Sequence, residues 1–267
     1  EYAHLYNAKV YVALNTILKD KELCETKSLI RRLYNEAKVD ALIIQDMGIT
    51  MLNLPPVALH ASTQMDNRTF EKVKFLEEAG FRQIVLAREL SLDEIRDIAM
   101  QTSVPIEVFV HGALCVSYSG QCYLSHALSG RSANRGECAQ YCRLPYDLVD
   151  AEGVKIVSNK HLLSTKDLNL SDKLEDLLEA GVSSLKIEGR LKDVSYVKNV
   201  VAYYRRKLDG IIEKYPGYMK ASSGSCSYTF TPNLEKSFNR GFTKYFINGR
   251  TDNIWSVDSP KSIGEQV

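Results

Sequence analysis

The sequence predicts an α/β fold: a TIM-barrel-like parallel (β/α) barrel, N-terminally incomplete, carrying a long cysteine-rich loop and followed by a small C-terminal β extension. Three observations point there. From Lys9 onward, short β-branched runs alternate with amphipathic stretches of helical length, the order that yields parallel strands with helices outside. A helix end, a tight turn and a strand recur as Glu36 to Ile44, Glu78 to Leu86 and Glu179 to Ile187, an internal repeat of βα units. A chain of 267 residues with 45% apolar content can bury one large core, and one barrel uses about all of it.

The chain opens on Glu1 rather than Met, and EYAHLYNA reads as the tail of a helix, so a fragment with two strands upstream is expected. Six strands follow: Val10 to Leu14, Ala41 to Ile44, Val57 to His60, Gln83 to Leu86, Ile106 to Val110 and Ser184 to Ile187. With the two upstream they total the eight of a barrel. Between them, Ser91 and Glu94 form a capping box, and Gly80 and Gly181 stand where helices stop. The last long helix, Asp193 to Glu213, sets Val194, Val197, Val201, Tyr204, Leu208 and Ile211 on one face, expected to pack on the barrel. Lys198, Arg205, Arg206 and Lys207 lie elsewhere around it and read as solvated. Residues 1–216 are thus the barrel domain, with 111–143 inserted as the cysteine segment. Residues 217–267, rich in serine and glycine at their start, begin a β-rich extension. Cys24 and Cys226 stand alone and read as inert thiols.

A net charge of +1 creates no global field for nucleic acid, so any RNA surface must be a local patch. No run of 18 apolar residues occurs, which excludes a membrane-spanning helix, and the chain reads as cytoplasmic. An incomplete barrel exposes strand edges that need cover, from an absent segment or from a second copy in a homo-oligomer.

Four of the six cysteines fall within 28 residues, spaced Cys115-x6-Cys122-x15-Cys138-x3-Cys142, with Gly120, Gly130 and Gly136 between them and Gly112 just before. Thiolates bind soft metals, and glycines let the backbone curl until distant sulfurs converge. Structural disulfides and four unrelated buried thiols are the plainer readings. Nothing in the sequence resembles a secretory leader, and Glu137, Gln140 and Arg143 beside Cys138 and Cys142 are not apolar neighbours. Zinc sites pair two close knuckles, whereas only the second pair here is short; the irregular spacing suits an iron-sulfur cluster in a loop without excluding zinc.

Chemistry in a parallel barrel gathers past the strand ends. Those positions hold Asn15, Gln45, Asp46, Ser62, Gln64, Arg88, Glu89, His111, Glu188 and Arg190. Arg88 and Arg190 form a candidate clamp for a carboxylate or phosphate, which a planar guanidinium grips bidentately. His111 has three candidate roles: to move a proton, to tune a cluster through a sulfur, or to satisfy a backbone carbonyl. Arg131, Arg135 and Arg143, with Tyr118, Tyr123 and Tyr141 to stack an unpaired base, are the candidate RNA contacts.

The run His111-Gly112-Ala113-Leu114-Cys115-Val116-Ser117-Tyr118-Ser119-Gly120-Gln121-Cys122 closely resembles the signature of peptidase family U32, the collagenase-like proteases. Arg131 to Gly136 and Lys186 to Arg190 resemble two further motifs of that family. The phrases LNTILKDKEL, IIQDMGI, LHASTQ, IVLAREL and KDVSYVKN most resemble its bacterial subgroup that makes 5-hydroxycytidine in 23S ribosomal RNA. That resemblance implies a 4Fe-4S cluster on Cys115, Cys122, Cys138 and Cys142, and a dependence on the dicarboxylate prephenate. His111, Glu188 and Arg190 are then the expected catalytic residues, with Gln64, Arg88, Glu89, Arg131 and Arg135 contacting substrate. A peptidase needs an assembled nucleophile and base, and neither His-Glu-x-x-His nor Gly-x-Ser-x-Gly occurs. A U32-type peptidase and a zinc-stabilised RNA-binding module stand as the alternatives.

Overall fold

The computed structural model describes residues 1–250 and 253–258. Its strands are β1 (Tyr11–Leu14), β2 (Ala41–Ile44), β3 (Ala58–Ala61), β4 (Gln83–Val85), β5 (Ile106–Ala113), β6 (Tyr146–Val149), β7 (Lys155–Lys160), β8 (Asp167–Asn169), β9 (Ser184–Ile187) and β10 (Phe242–Thr243). Its helices are α1 (Leu23–Asn35), α2 (Phe70–Glu78), α3 (Leu92–Gln101), α4 (Leu124–Ser129), α5 (Leu174–Glu179) and α6 (Val194–Lys214). Each of the six expected strands forms at the expected place.

β1 to β5 lie side by side in chain order, all parallel, the arrangement that successive βα units give. β5 is the hinge of the sheet. Its first part pairs with β9 in parallel from Glu107 to His111, with a register shift between Phe109 and His111. Its last part, His111 to Ala113, pairs with β8 antiparallel, and β8 carries β10. The sheet is therefore mostly parallel and, among the described residues, runs open from β1 to β10. β2 is buried at all four positions, as a strand covered on both faces must be. Ile30, Leu42, Ile44, Leu76, Phe81, Ile84, Ile106 and Leu177 fill the space between sheet and helices. Each contributes about 1.5–3 kcal/mol by leaving water. The Ser91 and Glu94 capping box starts α3 as expected.

The buried face of α6 is the expected one only toward its C-terminal half, where Tyr204 and Ile211 are buried and Leu208 packs on the core. Val194, Val197 and Val201 are 67%, 42% and 47% exposed, while Tyr196, Asn199, Val200, Ala202, Tyr204 and Ile211 face inward. The reason is polar. Asn199 Nδ2 donates to Asn233 O at 2.6 Å and Ser237 Oγ at 2.5 Å, and Asn233 N donates back to Asn199 Oδ1 at 2.9 Å. A tally of apolar residues cannot see an asparagine that is satisfied in the interior.

From 217 on, where a β-rich extension is expected, the strand among the described residues is β10, two residues long and joined to the central sheet, with Trp255 adding one bridge to Thr165. Residues 251–252 and 259–267 of that extension lie outside the described residues. The β6–β7 hairpin follows the cysteine segment and is largely exposed, so its sequence shows little alternation to read. Among the described residues no helix is long and apolar enough to cross a membrane.

Candidate functional site

The cysteine segment leaves the end of β5 and is fastened at several points. At Gly112 the backbone has φ +110°, and a Cβ there would lie 2.7 Å from both Cβ and O of Glu188, so the ends of β5 and β9 approach as only glycine permits. Gly120 (φ +75°) presses onto the backbone of Gln64, where a Cβ would stand 1.8 Å from the carbonyl oxygen. Next to it, Ser119 donates to Glu89 through N at 3.0 Å and through Oγ at 3.3 and 3.2 Å. Burial pushes the Glu89 carboxyl up, against those hydrogen bonds and the nearby Arg88. Arg135 donates to Ile17 O at 2.7 Å and to both oxygens of Glu22 at 3.0 and 2.8 Å. Arg143 reaches Ser164 Oγ at 3.0 Å, Thr165 O at 2.5 Å and Leu114 O at 2.6 Å.

All six cysteines are free. Cys115 opens onto a cavity, yet the protein mass around it pushes its thiol up to about 11, with Cys122 and Cys142 acting in the same direction and Ser117 N and Arg88 against it. Burial also raises Cys142, and Cys138 and Cys122 add to that rise. Among the described residues no three of His, Cys, Asp or Glu are drawn tightly enough around one point to hold a single ion. Four unpaired thiols on one fastened loop are the donor type of a sulfur-ligated cluster, though Cys122 does not line the cavity that the other three share.

Cys115, Cys138 and Cys142 form one wall of a cavity of about 530 Å³. The remaining walls hold five cations, Arg143, Arg190, Lys192, Lys236 and Arg240, against one carboxylate, Asp193. Asp193 is engaged as the N-cap of α6, accepting from Tyr196 N at 2.7 Å. Arg240 donates to the buried Asp167 at 3.3 Å; burial pushes that carboxyl up and Arg240 pulls it down. Lys192 lies 3.3 Å from the ring centre of Phe238 and 5.2 Å from that of Tyr196, with burial lowering its ammonium. Among the described residues, the side chains of Arg190 and Lys236 have no carboxylate partner.

The residues expected from the sequence are distributed otherwise. Of the three expected at the catalytic centre, Arg190 lines the cavity; His111 and Glu188 do not. His111 is 2% exposed, its ring among Tyr196, Tyr204 and Phe242 and its Nδ1 3.4 Å from Tyr204 Oη. Burial holds its pKa down to about 4, helped by Lys192. The Arg88 and Arg190 clamp does not form, because Arg88 is engaged elsewhere. It stacks 3.8 Å from the Phe109 ring centre and donates to Ala113 O at 3.2 Å and Glu188 Oε2 at 3.4 Å. Glu188 Oε1 also takes Arg190 N at 3.1 Å. Gln64 supports the loop by backbone, its carbonyl receiving Gln45 Nε2 at 3.2 Å. Arg135 and Arg143, expected to touch RNA, both hold the loop, and Arg143 also lines the cavity, while Arg131 is exposed just past α4. Tyr118 and Tyr123 are 46% and 66% exposed, and Arg68 covers the Tyr118 ring at 4.1 Å. Sequence reasoning missed Lys236 and Arg240, which come from a stretch without periodicity. Lys192 carried a usable signal as the cation just before a helix cap.

Comparison with known proteins completes the description. A family model described as Peptidase family U32 matches residues 1–256. The chain belongs to peptidase family U32. Among U32-related proteins, the 23S rRNA 5-hydroxycytidine C2501 synthase of Escherichia coli is 58% identical over 98% of this chain and 40% of its own length. The tRNA hydroxylation protein P1 of Bacillus subtilis is 38% identical over 78% of this chain and 51% of its own. A collagenase of Porphyromonas gingivalis is 32% identical over 93% of this chain and 61% of its own. The chain therefore spans between two fifths and about three fifths of the length of these relatives.

Proposed function

We propose that this U32 protein is an RNA hydroxylase that forms 5-hydroxycytidine in 23S ribosomal RNA. The observation that carries this reading is the 58% identity, over 98% of the chain, to a relative named for that product. Relatives named for tRNA hydroxylation support the same class of chemistry. In this reading Cys115, Cys122, Cys138 and Cys142 hold a 4Fe-4S cluster, which when bound supplies electron transfer to the reaction. The six parallel strands β1 to β5 and β9 belong to a TIM-type barrel, and the protein works in the cytoplasm, where ribosomal RNA is made. A small dicarboxylate such as prephenate is the second reactant.

The protein's own residues do the positioning. Ser119 with Glu89, Arg135 with Glu22, and Arg143 with Leu114 and Thr165 fix the cysteine loop, so the sulfur wall of the cavity is rigid before substrate arrives. A cytosine can be presented to that wall only when it is out of its stack. The peptidase reading rests on the name of the P. gingivalis relative. Against it, His111 sits in the core with Tyr204 as its polar neighbour, and among the described residues no hydrogen bond joins it to a thiol. A zinc-stabilised RNA-binding module would use the same four thiols without turnover.

The test is nucleoside analysis of 23S ribosomal RNA from cells lacking the full-length gene. Loss of 5-hydroxycytidine is expected, restored by the wild type and not by Cys115→Ser or Cys142→Ser. Persistence of the modified base in the deletion strain contradicts the reading.

A further inference from the structure

We infer that the cationic side of the cavity seats the RNA phosphates that flank the reacting nucleotide; this rests on the RNA-hydroxylase reading above. The charge balance is the first reason. Five cations line a concave space of about 530 Å³ with one carboxylate, Asp193, among them, and the buried Asp167 behind Arg240 offsets one more, so the cations still outnumber the carboxylates. Like charges gathered in a cleft raise its potential and the local concentration of an anion. The second reason is that this wall is pre-set. Lys192 rests on Phe238 and Tyr196, Arg240 is tied to Asp167, and Arg143 is held by three hydrogen bonds, so little side-chain freedom is lost when an anion enters. Arg190 and Lys236 remain without a carboxylate partner among the described residues. They supply one planar fork and one mobile point charge, the two ways in which proteins hold phosphate.

The third reason is placement. The chain as a whole carries a net charge of +1 and offers RNA no general attraction, so recognition has to be local. This concentration of cations shares its cavity with Cys115, Cys138 and Cys142. A phosphate held by Arg190 and Lys236 directs the nucleoside attached to it into the space bounded by the sulfurs. A volume of this order is that of a site for a small ligand or a single nucleotide, about 300–1,000 Å³.

Fluorescence anisotropy of the full-length protein with a short single-stranded RNA, across a salt series, tests the inference. Arg190→Gln and Lys236→Gln should each weaken binding and flatten the dependence of log affinity on log salt by about 0.7 per lost contact, and the double variant by about twice that. Lys236→Arg should keep the wild-type slope, as should Lys198→Gln, an exposed lysine of α6 outside the cavity. Thermal melting confirms that each variant is folded. An unchanged slope in the folded double variant overturns the phosphate site. So does a result in which these substitutions abolish thermal stabilisation by free inorganic phosphate or malonate and leave RNA binding intact, which would give the cavity to a small anion. Because binding is read without turnover, a negative result here alongside loss of 5-hydroxycytidine in the deletion strain removes only the phosphate site and leaves the hydroxylase reading standing.

Discussion

At Gly120 a single methyl group has nowhere to go: its Cβ would stand 1.8 Å from Gln64 O, and φ is +75°. Gly120→Ala is expected to lower stability by roughly 2–4 kcal/mol, combining left-handed strain with overpacking against backbone. Urea titration measures it, and a loss below the range for a surface change would mean that the loop does not press on Gln64. His111 makes a prediction about pH. Its folded pKa of about 4 lies below the ordinary value of 6.5. Between these the unfolded chain binds the extra proton, so this part of the stability is complete above about pH 6.5 and is lost as pH falls toward 4. Stability measured across that window should fall less steeply in His111→Gln than in the wild type. Equal slopes would place His111 in water. At this scale the cysteines were legible because their identity and crowding are local facts. The roles of Arg135 and Arg143 were not, since their partners Glu22 and Thr165 are distant in sequence or lie in a loop with no pattern, and an arginine beside a cysteine looks the same whether it faces RNA or a carbonyl.

Among the elements, the pairing of β4, β5 and β9 is pinned by Glu107. It is buried, accepting from Gln83 Nε2 at 2.5 Å and Ser184 Oγ at 2.8 Å, with Lys186 Nζ at 3.0 Å from its other oxygen. Removing the cation leaves a buried carboxylate uncompensated. Lys186→Met should therefore destabilise by about 2–3 kcal/mol, less than a fully enclosed pair because Lys186 is partly exposed, and adding Glu107→Gln should recover part of it. No recovery in the double variant would show that the pair is not coupled. Asp193 has a separate part to play at the start of α6. Asp193→Ala is expected to lower stability by about 0.5–2 kcal/mol through the lost cap, read as a fall in Tm. The strands of the parallel units were readable because each repeats one short grammar of helix end, turn and strand. β8 and β10 escaped because neither follows the helix end and turn of those repeats, and the first turns of α6 were misjudged because the buried Asn199 rotates Val194, Val197 and Val201 outward.

For the molecule as a whole, one long strand sets the arrangement. β5 binds β4 and β9 along its first part, β8 along its end, and then releases the cysteine segment beside the N-terminus of α6. Three structures thereby meet at one cavity: the thiol loop, the turn before α6, and the C-terminal stretch carrying Lys236 and Arg240. The parallel α/β architecture could be foreseen from the chain's repeats, whereas this meeting could not, since it depends on a stretch distant in sequence that adds β10 beside β8. The proposed function has Cys115, Cys122, Cys138 and Cys142 acting together as cluster ligands, and metal analysis of the full-length protein purified without oxygen tests that most directly. It predicts about four iron and four acid-labile sulfide per chain, falling steeply in Cys115→Ser and Cys142→Ser. Stoichiometric zinc, or iron that persists when those thiols are removed, would contradict it.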